Sequence, residues 1–154
     1  MNAGEKIEHE IAQHALEEHR AVRAQQKQIL AFIEKGVVGS ETEWASRCLD
    51  LFVPFFDHLR EHFSVEESGG FMKPVLEVRP TLHPKIEKLK QEHVEMLNTG
   101  HLVIDRLRGV GDFKGNMDEV RERILGLLSV LAEHERAENR LLVTAFDIDL
   151  GPGD

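Results

Sequence analysis

Leu131-Ala132-Glu133-His134-Glu135-Arg136-Ala137-Glu138-Asn139-Arg140-Leu141-Leu142 is the stretch on which the fold is read. It sets His134 and Glu138 four residues apart in an apolar stripe of Val120, Ile124, Leu127, Leu131, His134, Glu138, Leu141 and Ala145. Alternating steps of three and four mark the core-facing side of a bundled helix. Both polar groups are therefore expected to point inward, one turn apart. A charge taken out of water costs on the order of several kcal/mol unless something pairs with it. Partners must come from elsewhere in the chain.

Three other stretches offer them. A first helix is expected from Asn2, which forms a capping-box pattern with Glu5, to Gly36, with the stripe Ile7, Ile11, Ala15, His19, Val22, Gln26, Ile29 and Ile33. Ser40 and Glu43 suggest a second capping box. The helix it opens is expected to run to about Glu67, kinked near Pro54, with the stripe Trp44, Cys48, Leu51, Phe55, His58, His62 and Val65. Glu66 lies one turn beyond His62. After Ser68-Gly69-Gly70 a connection of about a dozen residues, with a helical turn near Phe71 to Glu77, leads to a third helix starting between Thr81 and Pro84. Its stripe is Ile86, Leu89, His93, Met96, Gly100, Ile104 and Leu107, closed by Gly109. Asn116 with Glu119 is expected to cap the fourth helix, after the loop Gly109 to Gly115.

Four amphipathic helices with short loops inside each half predict an all-α, up-down-up-down four-helix bundle with core ligands on facing helices. The halves repeat. His19 and His93 are 74 residues apart, while His62 and His134, like Glu66 and Glu138, are 72 apart. Each half thus carries a lone histidine on its first helix and His-x-x-x-Glu on its second, and each of these histidines follows a glutamate: Glu18, Glu61, Glu92 and Glu133.

Composition sets the surroundings. The chain has 154 residues, enough for one domain with a substantial core, expected at about residues 3–146 with a loose acidic tail over 147–154. A net charge of −9 disfavours nucleic acid. Cys48 is the only cysteine, which excludes an internal disulfide and a thiolate cluster. No segment has the apolar length of a membrane span, and the polar start, Met-Asn-Ala-Gly-Glu-Lys, lacks a signal peptide's apolar run. A cytoplasmic protein is the expectation. Nine histidines invite a search for metal.

These residues resemble the hemerythrin-like HHE cation-binding domains, whose pattern is His, His-x-x-x-Glu, His, His-x-x-x-Glu. The resemblance covers nearly the whole chain: His19, then His62-Phe-Ser-Val-Glu66-Glu67, then Glu92-His93, then His134-Glu-Arg-Ala-Glu138. It implies a non-heme centre of two iron ions, oxo- or hydroxo-bridged, with His19, His62, Glu66, His93, His134 and Glu138 as metal ligands and the two glutamates bridging. No catalytic residue is assigned. Asn139 stands where a glutamate often follows the second pair, which is expected to alter the surroundings of the ligands but not the metals. Oxygen-carrying hemerythrins have a further histidine one turn after the third-helix ligand, where this chain has Leu97, and an aspartate at a slightly longer spacing on helix four, where it has Glu138. The site is similar instead to the four-histidine, two-glutamate domains implicated in iron-sulfur-cluster repair, nitric oxide or peroxide chemistry, and iron or oxygen sensing. The cysteine-bearing N-terminal domain of the repair type is expected to be absent, so neither subfamily is matched outright.

The resemblance implies binding of, or reaction with, dioxygen, nitric oxide or peroxide, served by a redox donor or protein partner. The alternative is a non-catalytic oxygen or iron sensor or carrier acting through a partner. An ordinary bundle with hydrogen-bonded core histidines accounts poorly for six such groups in four core stripes. A ferritin-like site needs Glu-x-x-His, and no histidine here has a glutamate three positions before it. His58-Leu-Arg-Glu61-His62 matches the motif of inverted zinc peptidases, but a small helical bundle offers no substrate cleft. His58 is open between a partner to a ligand, a gate for small molecules, a core histidine with a satisfied bond and, as a lesser alternative, a metal ligand itself. His9, His14, His83 and His101 are expected at the surface.

Overall fold

The computed structural model describes residues 2–109 and 117–150. Helix α1 (Ala3–Glu34) begins where Asn2 accepts from the Glu5 amide and the Glu5 side chain returns the bond, the capping box expected there. Ser40 likewise accepts from the Glu43 amide and starts α2 (Glu41–Ser68), which continues through Pro54 at the loss of one backbone donor. The Gly69 and Gly70 amides both turn back to the Val65 carbonyl. The crossing segment then forms a short helix, α3 (Met72–Val78), and a 3₁₀ turn (Pro80–Leu82). Helix α4 (His83–Leu107) follows with Pro84 in its first turn, and Gly109, at φ +71°, takes the left-handed backbone just beyond its end. The last helix is α5 (Met117–Phe146). The expected cap at Asn116 lies outside the described residues, as do most of the loop before it and residues 151–154 of the tail.

The four long helices close into a ring, α1 against α2 and α5, and α4 against α2 and α5, giving the expected all-α bundle. Two apolar clusters fill it. One, built around Ile29, Trp44, Phe52, Phe56, Val103 and Ile124, lies toward the α1–α2 loop. The other combines Leu16, Ile86, Leu89 and Leu142 with Phe71, Met72 and Val75, so that α3 plugs the opposite end. On α1, α4 and α5 the polar groups of the core stripes lie between the two clusters in sequence, and on α2 His62 and Glu66 lie between the bulk of the first cluster and Phe71, where the second begins.

The α4 and α5 stripes are buried as expected, whereas that of α2 is rotated. Leu51 and His58 are only half-buried and Val65 is 45% exposed, while Phe52, Phe56, Leu59 and Phe63 take the core. The expected line followed a 3.5-residue repeat, and a straight helix at 3.6 drifts by about 20° per heptad away from it. Ile7 is also a correction, at 57% exposed: burial on α1 starts only at Ile11 and Ala12.

Gly100 is a packing requirement. A Cβ there would stand 2.3 Å from Cε2 of Phe56, whose buried ring is held against Phe52 and edge-on to His101. Gly100→Ala gains about 1 kcal/mol of helix propensity but overpacks this contact at a cost of about 1–3 kcal/mol. The variant is expected to melt at lower temperature than the parent in thermal circular dichroism. An unchanged or higher Tm would mean that the Phe56 ring yields.

Candidate metal centre

Each long helix delivers its polar groups to one layer because the stripe that buries its leucines and phenylalanines also carries the histidine. His19 comes from α1, His62 and Glu66 from α2, His93 from α4, and His134 and Glu138 from α5. All six are buried, with Glu138 and His19 at 0% exposure. Their donor atoms form two overlapping groups, each within 4.8 Å: His19, His62, Glu66 and Glu138, and then Glu66, His93, His134 and Glu138. Both glutamates belong to both groups.

The carboxylates divide themselves between the two groups. Glu66 turns Oε2 to His19 Nε2 (3.0 Å) and His62 Nε2 (3.3 Å), and Oε1 to His93 Nε2 (3.3 Å). Glu138 turns Oε1 to His19 Nε2 (3.1 Å) and Oε2 to His134 Nε2 (3.2 Å) and His93 Nε2 (3.6 Å). Close as they are, His62 Nε2, Glu66 Oε1 and both Glu138 oxygens make no hydrogen bond. Buried polar atoms are normally satisfied, and a convergent set of orphaned imidazole and carboxylate atoms is the donor chemistry of a cation site. The 2.9 Å approach of His93 Nε2 to His134 Nε2 fits the same reading, since two lone pairs at that distance need a proton or a metal between them.

The outer nitrogens are held by a second set of residues. His93 Nδ1 donates to Glu67 (2.8 Å), His134 Nδ1 to Glu92 (2.8 Å) and His19 Nδ1 to Asn139 (2.7 Å), while Glu18 lies 3.7 Å from His62 Nδ1. A proton fixed on Nδ1 leaves the Nε2 lone pair facing inward. The arrangement follows the repeat. The residue after each shared glutamate, Glu67 or Asn139, reaches the first-helix histidine of the other half, and the glutamate before each first-helix histidine, Glu18 or Glu92, faces the second-helix histidine of its own half. Asn139 thus supports His19 with a neutral amide where Glu67 gives His93 a carboxylate. Sequence reasoning noted Glu18 and Glu92 only as neighbours of histidines, and it quoted Glu67 and its counterpart Asn139 without assigning them the histidines they hold. It also missed a buried pair beside the layer, Gln26 donating to Glu135 (3.0 Å).

His58 falls outside both groups. It is half-buried on the flank of α2, where Nδ1 contacts Gln25 Oε1 (2.5 Å) and Nε2 lies 3.7 Å from Glu18. The drift of the helical stripe has turned it away from the line that His62 follows. His9, His14, His83 and His101 are exposed.

Electrostatics tie the layer together. Burial alone would strip His19, His93 and His134 of their protons, but the neighbouring carboxylates, Glu138 foremost, outweigh it and raise all three, His93 to about 10. Burial would likewise protonate Glu66 and Glu138, yet the surrounding imidazoles hold both below 4.5, Glu138 well below. Burial, aided by the nearby charge of Glu138, outweighs the pull of His19, Arg23 and His62 on Glu135 and pushes it up to about 7. Histidines raised above 6.5 stabilise the fold fully below that pH and lose the contribution as pH climbs through their folded values; carboxylates held down stabilise it above 4.5 and lose it in acid. The raised Glu135 adds a penalty that grows from about pH 4.5 to 7. The metal-free protein is therefore expected to melt highest near pH 5–6, and progressively lower toward pH 10 and below pH 4. Thermal melts of chelator-treated protein across that range check it, and a flat profile from pH 5 to 9 would contradict the pairing.

No curated protein and no solved structure matches the chain significantly. The model of one family does, the Hemerythrin HHE cation binding domain, over residues 10–146, a span that holds both donor groups and the two-half repeat. By that match the chain belongs to the hemerythrin HHE cation-binding family.

Proposed function

We propose that the protein holds a non-heme di-iron centre and uses it to bind or react with a small ligand such as dioxygen, nitric oxide or peroxide. The supporting observation is that each of Glu66 and Glu138 offers one oxygen to the His19–His62 side and its other oxygen to the His93–His134 side. Two carboxylates so placed suit two cations bridged in common, each with two imidazoles. Each cation would then have four protein donors, short of the six that an octahedral ion takes. Donors of nitrogen and oxygen without thiolate suit iron, which would supply redox change and an open position for the ligand.

The protein's part is to place and shield. Glu67, Glu92 and Asn139 fix the ring orientations, so that the nitrogens are aimed before a metal arrives. Phe63 lies flat on His93 at 3.9 Å and Phe71 stands edge-on to His19, covering the layer from both clusters. Leu97, partly buried against the apolar core, offers no further ligand. Without a further imidazole there, neither cation would be saturated by protein ligands, which favours redox chemistry over reversible carriage. A second reading, sensing without turnover, draws support from the four-helix origin of the donors, because metal occupancy is then linked to the stability of the whole bundle. Steady-state turnover of peroxide or nitric oxide separates the two, since a sensor binds without consuming its ligand.

Purified protein is expected to contain close to two irons per chain, with oxo-bridge bands in the near ultraviolet. A fully folded protein that takes up no metal would end the proposal. Glu66→Ala and Glu138→Ala should each lower iron content more than His58→Ala, because each removes a donor to both metals; equal losses in all three would make His58 a ligand. On exposure to oxygen, the reduced protein should convert one way to an oxidised form. Recovery of the reduced spectrum under vacuum over repeated cycles would return it to the carriers. Leu97→His, one turn from His93, should shift the behaviour toward such recovery.

A further inference from the structure

A cavity of about 530 Å³ opens between α1, α2 and the start of α3 and ends on His62 and Glu66. Ligand sites for small organic molecules commonly span about 300–1,000 Å³, whereas one water takes up about 30 Å³ of liquid. The space is thus many times what a diatomic needs. Its inner walls include Ile11, Ala15 and Phe71, and its rim carries Glu10, Glu18 and Glu61 beside His14 and His58, with no lysine or arginine among the lining residues; Glu18 faces His58 Nε2 at 3.7 Å, which leaves Glu10 and Glu61 as the outer carboxylates.

The cavity is specific to one half of the molecule. The 72-residue shift that carries His62 onto His134 carries Gly69 and Gly70 onto Leu141 and Leu142, both buried in the apolar cluster around Leu16, Ile86 and Phe71. The matching groove between α4 and α5 is smaller, about 330 Å³, is lined by Lys85, Lys88 and Arg140, and includes none of the six layer residues. Gly70 answers to the turn, since a Cβ there would stand 2.9 Å from the Glu66 Cα and the Val65 carbonyl. Gly69 does not. Its φ of −124° is open to any residue, and a Cβ would meet nothing within 4 Å. What its missing side chain does is leave the cavity empty where the other half is filled by leucine.

We propose that this cavity binds a small organic cation, an apolar body of roughly ten heavy atoms bearing a protonated amine, with the body against Ile11, Ala15 and Phe71 and the ammonium at the rim carboxylates. Charge complementarity selects the sign, and the apolar walls select the body. The binding itself does not depend on the metal. It deepens the di-iron reading only in that the occupant would lie beside His62 and Glu66 and so would be a candidate substrate or effector of that centre.

The test uses benzylammonium chloride, titrated into iron-loaded and metal-free protein and followed by calorimetry, with amide NMR of the metal-free form. Saturable one-site binding is expected, with shifts concentrated at Ile11, Ala15 and Phe71, and benzoate should bind at least tenfold more weakly. Gly69→Leu should weaken the amine at least tenfold with the helical circular dichroism signal unchanged. Glu61→Lys, at an exposed rim position where no fold is at stake, should do the same by reversing the local charge. Benzoate binding as tightly as the amine, shifts lying elsewhere, or unchanged affinity in Glu61→Lys would overturn the proposal. Iron content is measured separately: a protein that binds amine but no iron would refute the di-iron reading and leave the cavity assignment standing.

Discussion

Two carboxylates, Glu66 and Glu138, are buried together at the centre of the bundle, and the rest of the structure answers that constraint. Their mutual repulsion and burial both oppose ionisation, and it is the four inward imidazoles that keep them charged. Such a layer is held by partial satisfaction, for several of its atoms have neighbours without hydrogen bonds. Removing a partner from a buried charge is costly, so a layer of this kind ties together the positions of all four long helices. The apolar clusters on either side then fix the distances.

The outer shell turns a set of side chains into an aimed set. Each imidazole can present either nitrogen, and only the bonds from Nδ1 to Glu67, Glu92 and Asn139 decide that Nε2 faces inward for His93, His134 and His19. This control runs between helices: α2 orients a ring on α4, α4 orients one on α5, and α5 orients one on α1. The orientation of these imidazoles is thereby a property of the assembled bundle.

The repeat also makes departures from symmetry readable. Asn139 replaces the carboxylate that Glu67 supplies, and the buried Gln26–Glu135 pair occupies the places that Gly100 and Phe63 hold in the other half. Gly69 stands opposite Leu141. The His19–His62 side is therefore the more polar and the more open, and the His93–His134 side lies under the ring of Phe63. Two halves with matching donor sets have been given unlike surroundings.

How much of this was legible depends on the range of the interaction. The helices with their capping residues Asn2 and Ser40, the glycine at 109, and the inward placement of His19, His93, His134 and Glu138 follow from local periodicity and backbone chemistry, which act within a few residues and are written in the sequence. The face of α2 was misjudged at Leu51, His58 and Val65 because a small angular drift accumulates over several turns and only contact with the neighbouring helices settles the phase. Glu67, Glu135 and the Gly69 cavity were beyond local reading for a related reason. A carboxylate on a helix flank becomes a partner, and an absent side chain becomes a chamber, only when another helix is brought alongside. The sequence by itself determined which groups enter the core; tertiary packing decided which of their atoms meet, because that depends on distances set between helices.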